Sequence, residues 1–350
     1  MNGTNFHAGF VAVMGRPNVG KSTLINALIG QKIAAVTPRP QTTRQQQLGI
    51  LTTDQAQIIF IDTPGLHKPH HKLGQFMNQE AVASLEDGDL ILFLVDANLA
   101  SPHEEDLILV GLLDEVKQPP PVFLVLNKID RISEKELGER IATYQQLLPS
   151  AQVLPISAST GRNLGELLDA IVALLPEGEY FYPKDQITDL YEKEIAADLI
   201  RESALLHLRD EVPHAVAIRI DEFTERGEHG AYIAATVFVE RDSQKGIVIG
   251  KDGKMLKRIG STARQEIEKM SNRNVFLKLR VKVRKNWRND SASLGRFGFQ
   301  SRLFFLVVWT SFCTHPVAYT RVHQYLQASL GSQRPPVPSP LWPPPCLHDR

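Results

Sequence analysis

The sequence predicts a doubly wound α/β domain followed by a smaller α+β domain, on three observations. Apolar runs of strand length alternate with helix-like segments through the first half of the chain. A glycine-bounded loop, Gly15-Arg16-Pro17-Asn18-Val19-Gly20-Lys21-Ser22, lies between the first apolar run and the first helical pattern. Beyond residue 190 the pattern becomes helix, two strands, two helices and a strand, with a Gly-x-x-Gly turn between the paired helices. Alternating strands and helices build parallel sheets, whose ligands sit beyond the carboxyl ends of the strands. At 350 residues the chain can bury two cores.

Composition narrows the possibilities. Cys313 and Cys346 are the only cysteines, so nothing before them forms a disulfide framework or a thiolate metal site, and a reducing, cytoplasmic setting is expected. Residues 1–8 lack the basic start and apolar core of a signal peptide, and no apolar run approaches the roughly 20 residues of a spanning helix. The net charge of zero hides a division: residues 241–288 carry 15 Lys and Arg against 4 Asp and Glu, in an otherwise acidic chain. Clustered cations gain by displacing counterions from phosphates, so a polyanion is the expected partner of that segment.

In chain order, Phe10–Met14 reads as a buried strand, and the loop from Gly15 to Ser22 with Thr23 behind it reads as a phosphate cradle opening a helix. Its N–H groups wrap an anion at the helix N-terminus, Lys21 reaches the outer phosphates, and the Ser22 hydroxyl suits Mg²⁺. Buried strands follow at Gln57–Ile61, Leu90–Val95, Val122–Leu126 and Val153–Ile156. Ser101-Pro102-His103-Glu104 and Ser133-Glu134-Lys135-Glu136 both read as capping boxes, the first with Pro as its first helical residue. Short polar motifs stand at the strand ends. Asp62-Thr63-Pro64-Gly65 offers a carboxylate for the Mg²⁺ shell and a Gly N–H for a terminal phosphate. In Asn127-Lys128-Ile129-Asp130, the Asp130 carboxylate can accept both the N1–H and the exocyclic amine of guanine, a pattern adenine lacks. Ser157-Ala158-Ser159 offers N–H groups to the guanine O6.

These four motifs, in this order, resemble the translation-factor-related GTPases, whose fold is a P-loop doubly wound sheet. The resemblance implies GTP and GDP as ligands and Pro40-Gln41-Thr42-Thr43-Arg44 as switch I. One of Thr42 and Thr43 then meets Mg²⁺ when the γ-phosphate is present. Switch II begins at Asp62 and runs through His67–Lys72. Lys21, Gly65, Asn18 and Thr42 or Thr43 are the catalytic candidates. Leu66 stands where many such enzymes carry a Gln that orients the attacking water, so slow intrinsic turnover is expected. Asn18 either helps, since relatives with Asn here bind a K⁺ beside the β and γ phosphates, or only caps backbone groups of the loop.

The first domain is expected to span residues 1–176. Residues 177–189 then form a linker whose Tyr180-Phe181-Tyr182 cluster either stacks on bases or, the reading preferred, anchors the linker on a domain. The order of elements over 190–290 is that of a type II KH domain, an α+β fold that clamps single-stranded nucleic acid at its Gly-x-x-Gly turn. Gly246, Ile249, Gly250, Lys251, Asp252, Gly253, Lys254, Lys257 and Arg258 form the expected RNA site, with the apolar positions before the turn as its floor. Arg284, Lys285, Trp287 and Arg288 add basic groups around one aromatic, which either stacks on a base or covers the sheet edge.

A GTPase domain joined to a type II KH domain, with Lys285-Asn286-Trp287-Arg288-Asn289-Asp290 closing the match, resembles the Era family of bacterial ribosome-assembly GTPases over residues 7–299. That resemblance implies a monomer that binds the 3′ end of 16S rRNA during maturation of the 30S subunit, with peripheral association with the inner membrane. An RNA-binding chaperone with a static, poorly hydrolysing nucleotide domain is the alternative that Leu66 keeps open. Residues 300–350 depart from the pattern. They hold both Cys, two of the three Trp and no Lys, and end Pro-rich, which reads as an out-of-frame or read-through extension without regular structure rather than a membrane anchor.

Overall fold

The computed structural model describes residues 6–37, 39, 42–65, 71–116, 118–227 and 230–299, apart from the side chains of Glu86 and Glu115. The tail 300–350 therefore lies outside the described residues, which all fall within one compact unit ending at Phe299. The first sheet is built from β1 (His7–Met14), β2 (Gln47–Thr52), β3 (Ala56–Asp62), β4 (Leu90–Asp96), β5 (Val122–Asn127) and β6 (Gln152–Pro155), in the spatial order β2-β3-β1-β4-β5-β6. All neighbours are parallel except β2 on β3. β3 and β4 are buried at every position, as expected of parallel strands covered on both faces. The covering helices are α1 (Lys21–Ile29), α2 (Lys72–Asp87), α3 (Glu104–Glu115), α4 (Glu134–Gln145) and α5 (Leu164–Leu174). One core packs Leu24, Ile25 and Leu167 against Val11, Phe60 and Leu92; the other packs Leu85, Leu109 and Tyr144 against Ile91, Phe93 and Leu124.

Two local readings need correction. Helix α3 is capped by His103, not Ser101: its ring accepts from the Glu105 N–H while Asp106 accepts from the His103 N–H. Pro102 thus precedes the cap. The carboxylates Glu104, Glu105 and Asp106 fill the first turn, where the helix dipole favours them. The Ser133–Glu136 box forms as read. Strand β2, absent from the reading, is an edge strand interrupted by Gly49. A Cβ there would come within 2.8 Å of both Ile25 and Ile29, so glycine lets the α1 side chains close over the edge.

The linker is laced to the first sheet. The Gln57 side chain accepts from the N–H groups of Phe181 and Tyr182 and donates to the Tyr182 carbonyl. Ile50 N–H donates to Ile187 O, and Leu48 N–H to the Asp189 carboxylate. Phe6 and Phe10 contact the rings of Tyr180 and Phe181.

The second domain comprises α6 (Glu192–His207), β7 (Ala217–Arg226), β8 (Gly230–Val239), α7 (Asp242–Ile249), α8 (Lys254–Ser271), β9 (Asn274–Val283) and α9 (Ser291–Arg296). Its sheet runs β7-β8-β9, antiparallel then parallel. Helices α6 and α8 cover one face, α8 through Ile259, Ala263 and Ile267 at helical spacing. Residues 213–215 form a 3₁₀ turn ahead of β7; Pro213 supplies no N–H for a ladder.

A further cluster joins the domains. Leu73 and Met77 of α2 meet Ala217, Phe238, Trp287 and Leu294. Trp287 is 0% exposed, donates its indole N–H to Ala215 O at 2.8 Å and packs against Phe297 and Phe299. Its assignment to the RNA site is therefore overturned: a ring without exposed area cannot stack on a base. Trp287→Ala should lower stability by about 3–5 kcal/mol, the cost of emptying a buried indole site, in a denaturant titration. A loss under 1 kcal/mol would show the ring to be dispensable to packing.

Candidate functional site

The loop after β1 encloses one end of a cleft lined by Asn18, Lys21, Ser22, Thr43 and Gly65 among others. Gly20 sits at φ 105°, and a Cβ there would lie 2.4 Å from the Asn127 amide, so this corner of the loop accepts only glycine. The Lys21 ammonium is turned into the loop and donates to Gly15 O at 2.8 Å and Arg16 O at 3.3 Å. Burial pushes its pKa down to about 8, with Asp62 opposing and Arg16 assisting. Incoming phosphate oxygens would raise it again. The Arg16 side chain faces away, toward Asp96 and Asp106 at 3.7 and 3.6 Å, so only its backbone belongs to the cradle.

Three oxygens converge beside the loop. Ser22 Oγ donates to Asp62 Oδ2 at 2.7 Å, Thr43 Oγ1 reaches the same oxygen at 3.2 Å, and the two hydroxyls are 2.9 Å apart. Asp62 Oδ1 is buried without a hydrogen-bond partner, and burial raises the carboxyl's pKa against the pull of Lys21. One carboxylate and two hydroxyls around an unsatisfied buried oxygen form a donor set for a hard, oxygen-seeking cation, so the residues fit Mg²⁺. Thr42 is turned elsewhere: its hydroxyl donates to Arg39 O and contacts Thr37 Oγ1 at 2.8 Å. Gly65 abuts Pro17, within 2.9 Å of where a Cβ would stand, and Thr63 donates to Val13 O at 2.8 Å. Asp62, Thr63, Pro64 and Gly65 thus leave the end of β3 alongside the cradle. Pro40, Gln41, Leu66 and residues 67–70 lie outside the described residues, and with them the missing-Gln reading and most of switch II.

At the far end, Asn127 staples three loops. Its amide donates to Val19 O at 2.8 Å, and its oxygen accepts from Lys128 N–H and Ala158 N–H. Lys128, at φ 71°, reaches from the Asn18 carbonyl to Asp96, both at 2.7 Å. Ser157 donates to Asp130 Oδ1 at 2.6 Å and lies 3.2 Å from Ser159 Oγ, which holds the Asp130 carboxylate in a fixed orientation. Asn18 adopts φ 65°, which asparagine tolerates, at the exposed lip of the cleft.

Switch I carries contacts that no motif announced. Arg44, immediately after Thr43, is buried and donates to Val216 O at 2.7 Å and His214 O at 3.0 Å, with its guanidinium 5.9 Å over the Trp287 ring. Arg201 of α6 donates to Thr42 O, and Gln47 to Asp198 at 2.5 Å. Burial, and next the guanidinium groups of Arg201 and Arg288, disfavour the Arg44 charge, while Asp198 favours it. An arginine keeps its proton in proteins, so that cost is borne by the contact between domains.

In the second domain the Gly250–Gly253 turn has φ 72° and 74° at its two glycines and 53° at Asp252. A Cβ on Gly250 would come 2.6 Å from Met255 Cβ. Lys251, Asp252, Lys254, Lys257 and Arg258 are exposed, as is Gly246. The apolar floor is only partly as read. Val248 points into the core at 0% exposure while Ile247 is 49% exposed and Ile249 half-buried, because a helical turn sends neighbouring side chains to different faces. Of the basic cluster beyond β9, Lys285 is exposed. Arg284 is tied to Asp290 and Ser293, and Arg288 to Glu240 at 2.5 Å. Their local acids, which sequence spacing does not reveal, make both arginines structural cross-links as well as surface charge.

The model of the 50S ribosome-binding GTPase family matches residues 10–128, and that of the KH domain matches residues 211–288. GTPase Era of Geobacter metallireducens is 46% identical over 300 residues, covering 85% of this chain and all of the relative. GTPase Era of Heliobacterium modesticaldum is 45% identical over 296 residues, covering 85% and 98%. Among solved structures, Era in complex with MgGDPNP and nucleotides 1506–1542 of 16S ribosomal RNA superposes with a TM-score of 0.80 at 39% identity, covering 84% of this chain and 99% of that one. An Aquifex aeolicus Era variant bound to GDP and AlF₄⁻ gives 0.79 at 39% identity, over 84% and 99%.

The Lys21 environment sets a pH dependence. The free pKa near 8 rises when phosphate binds, so binding above pH 8 requires proton uptake. Affinity for a guanine nucleotide, measured by calorimetry, should be flat from pH 6.5 to 7.5 and fall about tenfold by pH 9. Constant affinity to pH 9 would place the Lys21 pKa elsewhere.

Proposed function

The chain belongs to the GTPase Era family, and from that premise we propose that its nucleotide site gates an RNA-binding domain, so that GTP hydrolysis times its contact with the 3′ end of 16S rRNA during 30S subunit assembly. The enzyme is a GTP hydrolase, converting GTP and water to GDP and phosphate. The observation that carries the gating is the adjacency of Thr43 and Arg44. One residue stands in the oxygen cluster with Ser22 and Asp62; the next is buried in the second domain. A change at the nucleotide therefore reaches the second domain across one peptide bond.

Within that reading Ser22, Thr43 and the free oxygen of Asp62 would hold Mg²⁺, which supplies charge neutralisation at the phosphates. Lys21 leaves the Gly15 and Arg16 carbonyls for the outer phosphate oxygens, and Gly65 offers its N–H to the γ-phosphate. Asp130, oriented by Ser157, selects guanine. Loss of the γ-phosphate withdraws the reason for Thr43 to stay, and Arg44 moves with it. Exposed Lys251, Lys254, Lys257 and Arg258 flank the turn that clamps the RNA backbone. Family resemblance further supports a cytoplasmic monomer that meets the 30S subunit and associates peripherally with the inner membrane.

We assign a K⁺ to the lip at Asn18, where the exposed asparagine lines the same cleft as Gly20, Lys21 and Ser22. Hydrolysis in K⁺ buffer should exceed that in Na⁺ buffer several-fold, and Asn18→Ala should erase the difference; equal rates for the unaltered protein would remove the ion from the scheme. Gating is tested through the switch. Thr43→Ala should weaken Mg²⁺-dependent GTP binding at least tenfold more than Thr42→Ala. Arg44→Ala should leave hydrolysis by the free protein within a few-fold while making RNA affinity the same with GTP analogue and GDP. An Arg44→Ala protein whose RNA affinity still follows the nucleotide would locate the linkage elsewhere.

A further inference from the structure

Helices α6 and α8 cover one face of the β7-β8-β9 sheet, while on the other face α2 and α9 cover only the Phe238 end, through Leu73, Met77 and Leu294. Ala231, Ile233, Ala235 and Val237 of β8 point into the core, and the alternate residues Tyr232, Ala234, Thr236 and Phe238 point to the other side. Their register partners on β9 are Phe276, Lys278, Arg280 and Lys282. This outer face has an aromatic end and a basic stripe. Tyr232 and Phe276 lie stacked, with centroids 5.7 Å apart and planes 13° apart, and Phe276 is 64% exposed. The Arg226 guanidinium sits 4.9 Å over the Tyr232 ring.

From the rings, Lys278, Arg280 and Lys282 follow at every second residue, spaced roughly 7 Å apart along the strand. Arg219 joins them from β7, opposite Thr236. Asp221 contacts Arg219 at 2.7 Å, Arg280 at 3.0 Å and Thr236 at 2.5 Å, and so holds two guanidinium groups side by side. Lys278 and Lys282 form no ion pair among the described residues. Against the five cations Arg219, Arg226, Lys278, Arg280 and Lys282 stand the acids Asp221 and Glu222, so the face is positive and complements a polyanion.

We propose that this outer face is a second RNA surface, which stacks an unpaired base on Phe276 and leads the adjoining backbone along Lys278, Arg280 and Lys282. The proposal rests on the RNA-binding reading of the Gly250–Gly253 turn. β9 is an edge strand, and α7, which precedes that turn, packs against it. RNA leaving the turn therefore has a single strand to cross before it meets the outer face. An exposed ring beside spaced cations suits single-stranded nucleic acid, whose unstacked bases offer a π-face that a duplex keeps covered. An acidic protein would satisfy the cations, but a stacked pair with one open face beside evenly spaced cations matches the alternation of base and phosphate along a single strand.

The test uses the full chain with a GTP analogue and three probes: a tetranucleotide, about the length one such turn clamps, the 16S segment 1506–1542, and a blunt RNA duplex. Phe276→Ala and the double change Lys278→Gln with Lys282→Gln should bind the tetranucleotide as the unaltered protein does. Both should bind the long RNA about tenfold more weakly, and the double change should reduce the salt slope by about 1.4. Equal affinity of both variants and the unaltered protein for the long RNA would overturn the proposal. So would an equally large loss on the duplex, or an RNA affinity unchanged while binding to an RNA-free ribosomal protein weakens. Lys251→Asp supplies the separate control: if it binds all probes normally, the reading of the turn itself fails, whatever Phe276 does.

Discussion

The buried Arg44 guanidinium ties switch I to the second domain, and the proposed gating depends on it. Its neighbour in sequence helps complete the oxygen cluster at the nucleotide, while its own N–H groups satisfy two carbonyls, of His214 and Val216, that enter the second domain's sheet. Beneath it, Trp287 receives α2 through Leu73 and Met77. Both segments that follow the phosphate-sensing motifs therefore end on one indole. A cation at this place is costly. It is dry, one of its nitrogens lacks a partner, and two more arginines crowd it. A buried charge contact carries a desolvation penalty that its partners must offset, and a ligand moves such a contact only by its differential affinity for the two states.

Much of this was legible in the sequence because the nucleotide site is made of short, contiguous motifs at strand ends. Gly15–Ser22, Asp62–Gly65, Asn127–Asp130 and Ser157–Ser159 each carry their chemistry within a few residues, and the parallel sheet brings strand ends together. The same locality made the Gly250–Gly253 turn readable. Thr42 and Thr43 are a different matter. Both are threonine and either hydroxyl satisfies the chemistry, so only the path of the chain decides which one turns toward Ser22 and Asp62.

What escaped the sequence is long-range. Arg44 bonds to carbonyls about 170 positions away, and nothing in its neighbourhood distinguishes it from a solvated arginine. Trp287 misled for a related reason: flanked by Arg and Lys, it looks like a nucleic-acid ring, while the residues that bury it, Ala215 and Leu73, belong to other elements. Edge strand β2 was missed because Gly49 breaks the apolar pattern that would have announced it. The outer sheet face could have been found from the alternation Phe276, Lys278, Arg280, Lys282, a period-2 signal spread over a strand that was read for its apolar positions alone.

The lacing of the linker by Gln57, Leu48 and Ile50 bears on how the cycle resets. With residues 181–189 fixed along β2 and β3, little slack remains before Glu192 begins α6. A second domain that lets go of Arg44 thus stays within a short radius of its docking surface, and its re-docking is intramolecular. Short tethers set effective concentrations in the millimolar range. Under the proposed gating, closing again would follow that local concentration and not the amount of protein in the cell, and each molecule would keep its own time.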